Sequence, residues 1–272
     1  MSENIQEWEP AVRFGTFLFL LLTFGCLEAL FPRRARGQSR KLRWPNNFGL
    51  AMLNGILMRL LLPAGTLMFA TIAETRGWGL FNTLDWPALP ETALAVVLLD
   101  LGIYGQHVLF HRVPLFWRLH RVHHTDVDMD VTTGSRFHPV EIICSLGIKF
   151  LLIAALGAPL SSVLLFEVLL SSTSLFNHSN LRLPESLEPL IRRLIVTPDM
   201  HRIHHSARRC ETDSNYGFNL PWWDRLFRTY RPDPAGGHLG MKTGLDEFRE
   251  PAEQRIASLL AQPFRTNGKT DG

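Results

Sequence analysis

Apolar residues in this chain do not alternate with polar ones; they gather in blocks. Residues 11–31, 48–73, 89–109, 140–157 and 160–177 each approach the length a helix needs to cross the bilayer. A hydrocarbon core of about 30 Å takes about 20 residues at a rise of about 1.5 Å each. Arg59 and Pro63 interrupt the second block. Only Gly157, Ala158 and Pro159 separate the last two, which therefore form a hairpin with a short tip. The first block is not a cleaved signal peptide, because an acidic segment (Glu3, Glu7, Glu9) leads it and its apolar run is too long. The pattern predicts an all-α integral membrane protein with four to five transmembrane helices.

Charge sets the expected orientation. Arg33, Arg34, Arg36, Arg40, Lys41 and Arg43 lie between the first two blocks, and such clusters stay on the cytoplasmic side. The N-terminus and the loop 74–88, with Trp78 and Trp86 as interfacial anchors, then fall outside. Residues 110–139 and everything from 178 onward fall inside. That multi-pass arrangement suits the inner or plasma membrane of a bacterium, or the endoplasmic reticulum of a eukaryote. The net charge of +3 reads as membrane orientation and headgroup contact, with no nucleic-acid stripe. Charged residues are 19% of the chain, below the roughly 25% of soluble domains, which sets aside a disordered or wholly soluble reading. Three cysteines cannot build a disulfide framework or a Cys-rich zinc site. Three regions follow: residues 1–88 with membrane helices 1 and 2, a catalytic domain over 89–231, and a cytoplasmic C-terminal tail over 232–272.

Histidine is the unusual residue. Ten of the eleven fall between positions 107 and 205. His107 and His111, four apart at the end of the third block, share a helical face with β-carbons about 5–6 Å apart. HRVHH (His120, His123, His124) and HRIHH (His201, His204, His205) each offer three imidazoles over one turn, in nearly identical words. His138 and His178 flank the hairpin. A solvated histidine-rich face has no reason to repeat the intervening arginine and aliphatic residue, so the set reads as metal-binding. His238, remote from every cluster, reads as an ordinary loop residue. Ten candidates exceed the four of a structural zinc site, which points to two metals, one triplet for each or both triplets straddling the pair. There is no HExxH zinc-peptidase pair. All-nitrogen ligation beside lipid favours iron, because unactivated C–H bonds need an oxidant that a cofactor supplies; zinc can substitute in purified protein.

Two further polar features lie inside apolar blocks. Asp100, Tyr104, His107 and His111 recur on one helical face, so Asp100 or Tyr104 is expected to orient an imidazole through its second ring nitrogen. Lys149 and Glu167 lie nine residues either side of Ala158, at equal depth on antiparallel helices; they are expected to pair and hold the hairpin together, since either charge alone is costly in the membrane.

In this order, HVLFH, HRVHH, RFHPVE, NHSN, TPDMHRIHH and NYGFNLPWWDRLFRTY resemble the sterol desaturase/fatty acid hydroxylase superfamily over roughly residues 95–231. Members are integral-membrane di-iron enzymes that use dioxygen and reducing equivalents to hydroxylate or desaturate lipids. The resemblance implies metal ligation at His107, His111, His120, His123, His124, His201, His204 and His205, with further histidines at His138 and His178. It also implies an Asp before the first pair, matched by Asp100, and places Asn215 in the last motif as a supporting residue. One departure is Arg228, where many members have Gly before the Thr-Tyr that ends this motif.

No haem-binding HPGG segment, iron–sulfur cysteine set or GxGxxG nucleotide site is present. Electrons are therefore expected from a separate cytochrome b5-like or ferredoxin-type protein. Arg192, Arg193, Arg208 and Arg209 are placed either to steer such an acidic carrier or to meet anionic lipid. Residues 212–231 are expected to cap the metal site, 252–262 to form a short amphipathic interfacial helix, and the chain beyond Pro263 to be disordered. The rival reading is a histidine-rich metal-binding protein or transporter without oxidase activity.

Overall fold

A computed structural model describes residues 2–62, 65–83 and 86–265, with side chains from residue 7 onward. The long helices are α1 (Ser2–Leu30), α2 (Arg40–Leu61), α3 (Gly65–Thr75), α4 (Ala88–Arg112), α5 (Pro114–His124), α6 (Pro139–Leu156) and α7 (Leu160–His178), followed by the short α8 (Glu188–Ile191) and α9 (Pro198–His204). Among the described residues there is no strand, only the isolated bridges Pro32–Leu181 and Ser206–Thr243. By length and composition five segments can cross a membrane: Glu7–Leu30, Arg40–Thr75, Ala88–Arg112, Pro139–Leu156 and Leu160–His178. Their outer faces carry exposed Phe14, Phe19, Leu60, Leu89 and Leu151, the pattern expected where lipid is the solvent.

The bundle core lies between α3, α4, α6 and α7, where Leu67, Ala70, Leu99, Ile103, Ile153 and Phe166 pack together. The helix hairpin turns at Gly157, whose φ of 64° is the left-handed cap that a side chain resists. The loop after α3 presses on this tip so closely that a β-carbon on Gly79 would lie 2.0 Å from the Gly157 nitrogen. The loop and the tip therefore occupy one end of the bundle, and the histidines the other, the length of α6 away.

Residues 113–138 and 179–265 form a cap at the histidine end of the bundle, and proline sets the turn that begins it. Val113 ends α4 and Pro114 opens α5 at its first position, where a missing N–H costs nothing. At the next return, His138 caps α6 with Pro139 behind it.

The basic loop after α1 is not spread over headgroups as its sequence suggests. Carboxylates of α1 and of the cap draw its arginines inward: Arg33 reaches Asp199 at 3.0 Å, Arg40 reaches Glu28 at 2.5 Å, and Arg43 bonds Asp126 at 2.6 and 2.8 Å and Asp130 at 2.8 Å. Because α2 begins there, its first turns with Arg43, Asn47 and Asn54 are part of the cap.

The C-terminal segment is also more than a tail. Leu259, on the short helix Ile256–Ala261, packs with Leu50 and Val122, while Gln254 and Gln262 are fully buried. The apolar face expected at a membrane interface is thus spent on the protein's own core. Pro263 to Arg265 are ordered beside it, and the rest of the segment expected to be disordered, residues 266–272, lies outside the described residues.

Candidate metal centre

The structure brings nine of the ten singled-out histidines into two adjoining buried groups. His107, His111, His120, His124 and His204 form one, and His123, His178, His201 and His205 the other; within each, the ligating atoms lie within 4.8 Å of one another. The two triplets straddle both groups in opposite ways. In HRVHH the i, i+4 pair His120 and His124 joins the first group and His123 the second. In HRIHH the i, i+4 pair His201 and His205 joins the second and His204 the first. Helix α4 then completes the first group with His107 and His111, and α7 the second with His178.

Hydrogen bonds fix which ring nitrogens carry protons. His107 Nδ1 donates to the Tyr216 carbonyl at 2.7 Å, and His120 Nδ1 to Glu141 Oε1 at 2.6 Å. Each Nε2 is then a bare lone pair, yet the two face each other at 3.1 Å. The second group repeats this. His178 Nδ1 donates to the Ser174 carbonyl at 2.7 Å and His123 Nδ1 to the Arg136 carbonyl at 3.3 Å, leaving their Nε2 atoms 3.0 Å apart. Two lone pairs cannot bond each other. Two nitrogens at about 2.1 Å from one cation and at right angles are about 3 Å apart, so a shared metal ion accounts for both spacings. His111 Nε2, His204 Nε2 and both nitrogens of His205 are likewise buried without a protein partner. The donor set fits one metal ion in each group.

Burial keeps these rings neutral, as ligation requires. Desolvation, reinforced by neighbouring imidazoles, pushes His123, His124, His201 and His205 well below the ordinary histidine value. Burial drives His204 down to about 3 although Ser214 accepts from its Nδ1.

The remaining singled-out residues stand apart from the metal positions. His138 joins neither group: its Nδ1 caps α6 by accepting from Val140 N–H, and its Nε2 faces the Leu260 carbonyl at 3.3 Å. Asp100 does not reach an imidazole, lying seven residues, about 10 Å of helix, below His107. Its Oδ2 accepts from Trp223 Nε1 at 2.8 Å and from Leu220 N–H at 3.3 Å. Tyr104 bonds Thr229 at 2.9 Å and stacks on Phe227. The carboxylates that do touch imidazoles are Glu141, on His120, and Asp213, 3.2 Å from His111. Neither stands out in the sequence, although Glu141 directly follows the His-Pro-Val of α6. Asn215, at a φ of 51° that asparagine tolerates, ties the Met200 and Arg231 backbones together. It thereby holds Ser214 and Tyr216, whose carbonyls orient His204 and His107. Lys149 and Glu167 meet at 2.7 Å, and Glu167 also receives Arg13 at 2.7 Å and Thr66 at 2.8 Å. His238 lies 3.9 Å from Asp199 and from Asp233, remote from both groups. Of the four arginines suggested for docking, Arg192 is paired with Glu188 at 2.7 Å, and Arg209 with Asp213 at 2.7 Å; Arg193 and Arg208 are exposed.

A chamber of about 260 Å³ opens on the first group, with His107, His120, Phe110, Phe137 and Glu141 in its wall. It adjoins a cavity of about 890 Å³ between α1, α2, α3, α6 and α7, the two sharing Arg13, Ile142, Ser145, Lys149, Glu167 and Ser171. Together the two spaces extend from the membrane level of the bundle to the imidazoles.

The fatty acid hydroxylase family model matches residues 92–229, the stretch that carries all nine clustered histidines, and the chain belongs to that family. It is 30% identical over 189 residues to ornithine lipid hydroxylase OlsE of Rhizobium tropici, covering 69% of this chain and 54% of the relative. Human alkylglycerol monooxygenase is 30% identical over 214 residues, 76% of this chain and 45% of the relative. Rat cholesterol 25-hydroxylase is 26% identical over 162 residues, 58% and 53%. The chain spans about half the length of these curated relatives. No solved structure matches it. With five segments able to cross the bilayer and membership of this family, it is a multi-pass membrane protein.

Proposed function

We propose that this protein is a dioxygen-dependent di-iron oxidoreductase that hydroxylates a C–H bond of a membrane lipid, with electrons from a separate cytochrome b5-like or ferredoxin-type donor. The observation that carries the reading is the chamber that lies between a membrane-level cavity and bare imidazole nitrogens. When bound, two iron ions would supply the oxidising power that an unactivated C–H bond demands. His107, His111, His120, His124 and His204 would hold one ion, and His123, His178, His201 and His205 the other. Phe110, Phe137 and Phe218 wall the chamber and keep water from the reacting carbon. Glu141 fixes the tautomer of His120 through one oxygen, while its second oxygen is buried without a partner in the chamber wall. Hydroxylation is favoured over desaturation because it requires one hydrogen abstraction rather than two, and the named relatives are hydroxylases and monooxygenases.

The histidine end and the C-terminal segment face the cytoplasm in this proposal, which puts the exposed Arg193 and Arg208 where a soluble or membrane-tethered acidic donor can reach them. The test is lipid mass spectrometry of cells supplied with ¹⁸O₂, with and without the protein and with a His204→Ala control. One lipid class should gain a single labelled oxygen only with the intact protein. Metal bound without any oxidised lipid in any class would instead favour a metal-binding protein or transporter.

A further inference from the structure

The larger cavity holds more charge than a passage for hydrocarbon needs. Its wall carries three cations, Arg13, Arg59 and Lys149, against two carboxylates, Glu9 and Glu167. Glu167 is consumed: one oxygen takes Lys149, the other takes Arg13 and Thr66. Glu9 is taken by Arg13 at 2.8 Å. Arg59 has no hydrogen-bond or ion-pair partner among the described residues, and Lys149 uses one of its three N–H groups. The wall therefore has a net positive charge and spare donors. An unpaired cation within a membrane segment is costly and by default marks function.

The position of this charge along the bundle matters as much as its sign. Lys149 and Glu167 each lie seven residues, about 10 Å of helix, from the hairpin end that faces away from the cap. Lys149 is also eight residues, about 12 Å, from Glu141 at the imidazole end, a span that a chain of roughly nine methylenes bridges. Both chambers share the Arg13–Glu167–Lys149 wall, so one extended ligand can touch the cations at one end and the imidazoles with its tail.

We propose that the larger cavity is a headgroup site for an anionic lipid, one bearing a carboxylate or phosphate, drawn from the leaflet opposite the cap and threaded tail-first toward the histidines. Arg59 and Lys149 receive the anion. Glu167 holds Lys149 and Arg13 in place without neutralising the site. The fixed distance makes the oxidised position a mid-chain carbon counted from the headgroup. This rests on the proposed lipid oxidation for its consequence, but the binding itself needs no turnover.

The test is equilibrium binding to the protein in zwitterionic nanodiscs, using tritiated palmitate with 1-palmitoyl lysophosphatidic acid, hexadecanol and inorganic phosphate as competitors. Palmitate or the lysophosphatidic acid should bind about tenfold more tightly than hexadecanol, and whichever anion wins names the headgroup. Inorganic phosphate should not compete, since it lacks the tail. Arg59→Leu should weaken palmitate binding by about tenfold and Arg59→Lys should retain it. Because Arg59 makes no hydrogen bond or ion pair among the described residues, its loss leaves the fold intact. Glu9→Gln, which adds net positive charge, should tighten binding a few-fold by the same electrostatic logic. A merely structural cluster would not respond with opposite signs. Equal affinity for palmitate and hexadecanol, or an Arg59→Leu variant that binds palmitate like the wild type, overturns the headgroup site. If oxidised lipid still forms in that case, the oxidase reading stands without it; anion-selective binding with no oxidised lipid under any condition leaves the headgroup site and removes the oxidase.

Discussion

The two histidine groups use the same HxxHH word yet are supported differently. In the first, the orienting partners include carboxylates, Glu141 on His120 and Asp213 on His111, and the rings line an open chamber. In the second, the known partners are backbone carbonyls, Ser174 for His178 and Arg136 for His123. Behind it lies a closed ionic layer in which Arg43 bridges Asp126 and Asp130 and Arg136 binds Asn47, Thr125 and Gln254. A carboxylate raises the basicity of an imidazole and can exchange protons; a carbonyl only holds a tautomer. Under the proposed function this difference amounts to a division of labour, with the first group facing substrate and the second anchoring the pair of ions.

The largest effect that would break this comparison is loss of a ligand. His120→Ala in the first group and His201→Ala in the second should each take lipid oxidation below detection, read as product by mass spectrometry, because both groups are needed. Next in size is Arg43→Met, which strands two buried carboxylates and should destabilise the protein by about 3–5 kcal/mol, measured by denaturation in detergent. If it lowers stability while metal content falls in the second group first, the anchoring role stands. Glu141→Gln keeps the shape but removes the charge on His120, and should cut turnover by about 10–100-fold with unfolding unchanged. Asp213→Asn should do least, severalfold by the same logic, because its bond is longer at 3.2 Å and its side chain is 21% exposed.

Much of this was legible in the sequence for a definite reason. Block hydrophobicity reports burial in lipid directly, so the expected segments 89–109, 140–157 and 160–177 lie within a few residues of α4, α6 and α7. The duplicated HxxHH words likewise report two similar sites, because i, i+3 and i+4 spacing is a property of the helix itself. What stayed hidden depends on partners far along the chain. Arg40 to Asn54 read as a basic loop running into a span, since nothing local says that Asp126, Asp130 and the Phe137 carbonyl wait for Arg43 and Asn54. His138 looked like a ligand because its type and neighbours matched; its backbone position made it a helix cap. Asp100 shares a helical face with His107 but not a height, and the carbonyls that orient the rings leave no trace in side-chain chemistry. The Lys149–Glu167 contact follows from equal depth on antiparallel helices, whereas the third partner, Arg13 from α1, does not.

The most direct measurement is anomalous scattering at the iron edge from crystals of the iron-loaded protein, compared with a His178→Ala variant. The account predicts two peaks in the wild type, one among His107, His111, His120, His124 and His204 and one among His123, His178, His201 and His205, with only the second weakened in the variant. A single peak, or peaks outside these nine imidazoles, would contradict it.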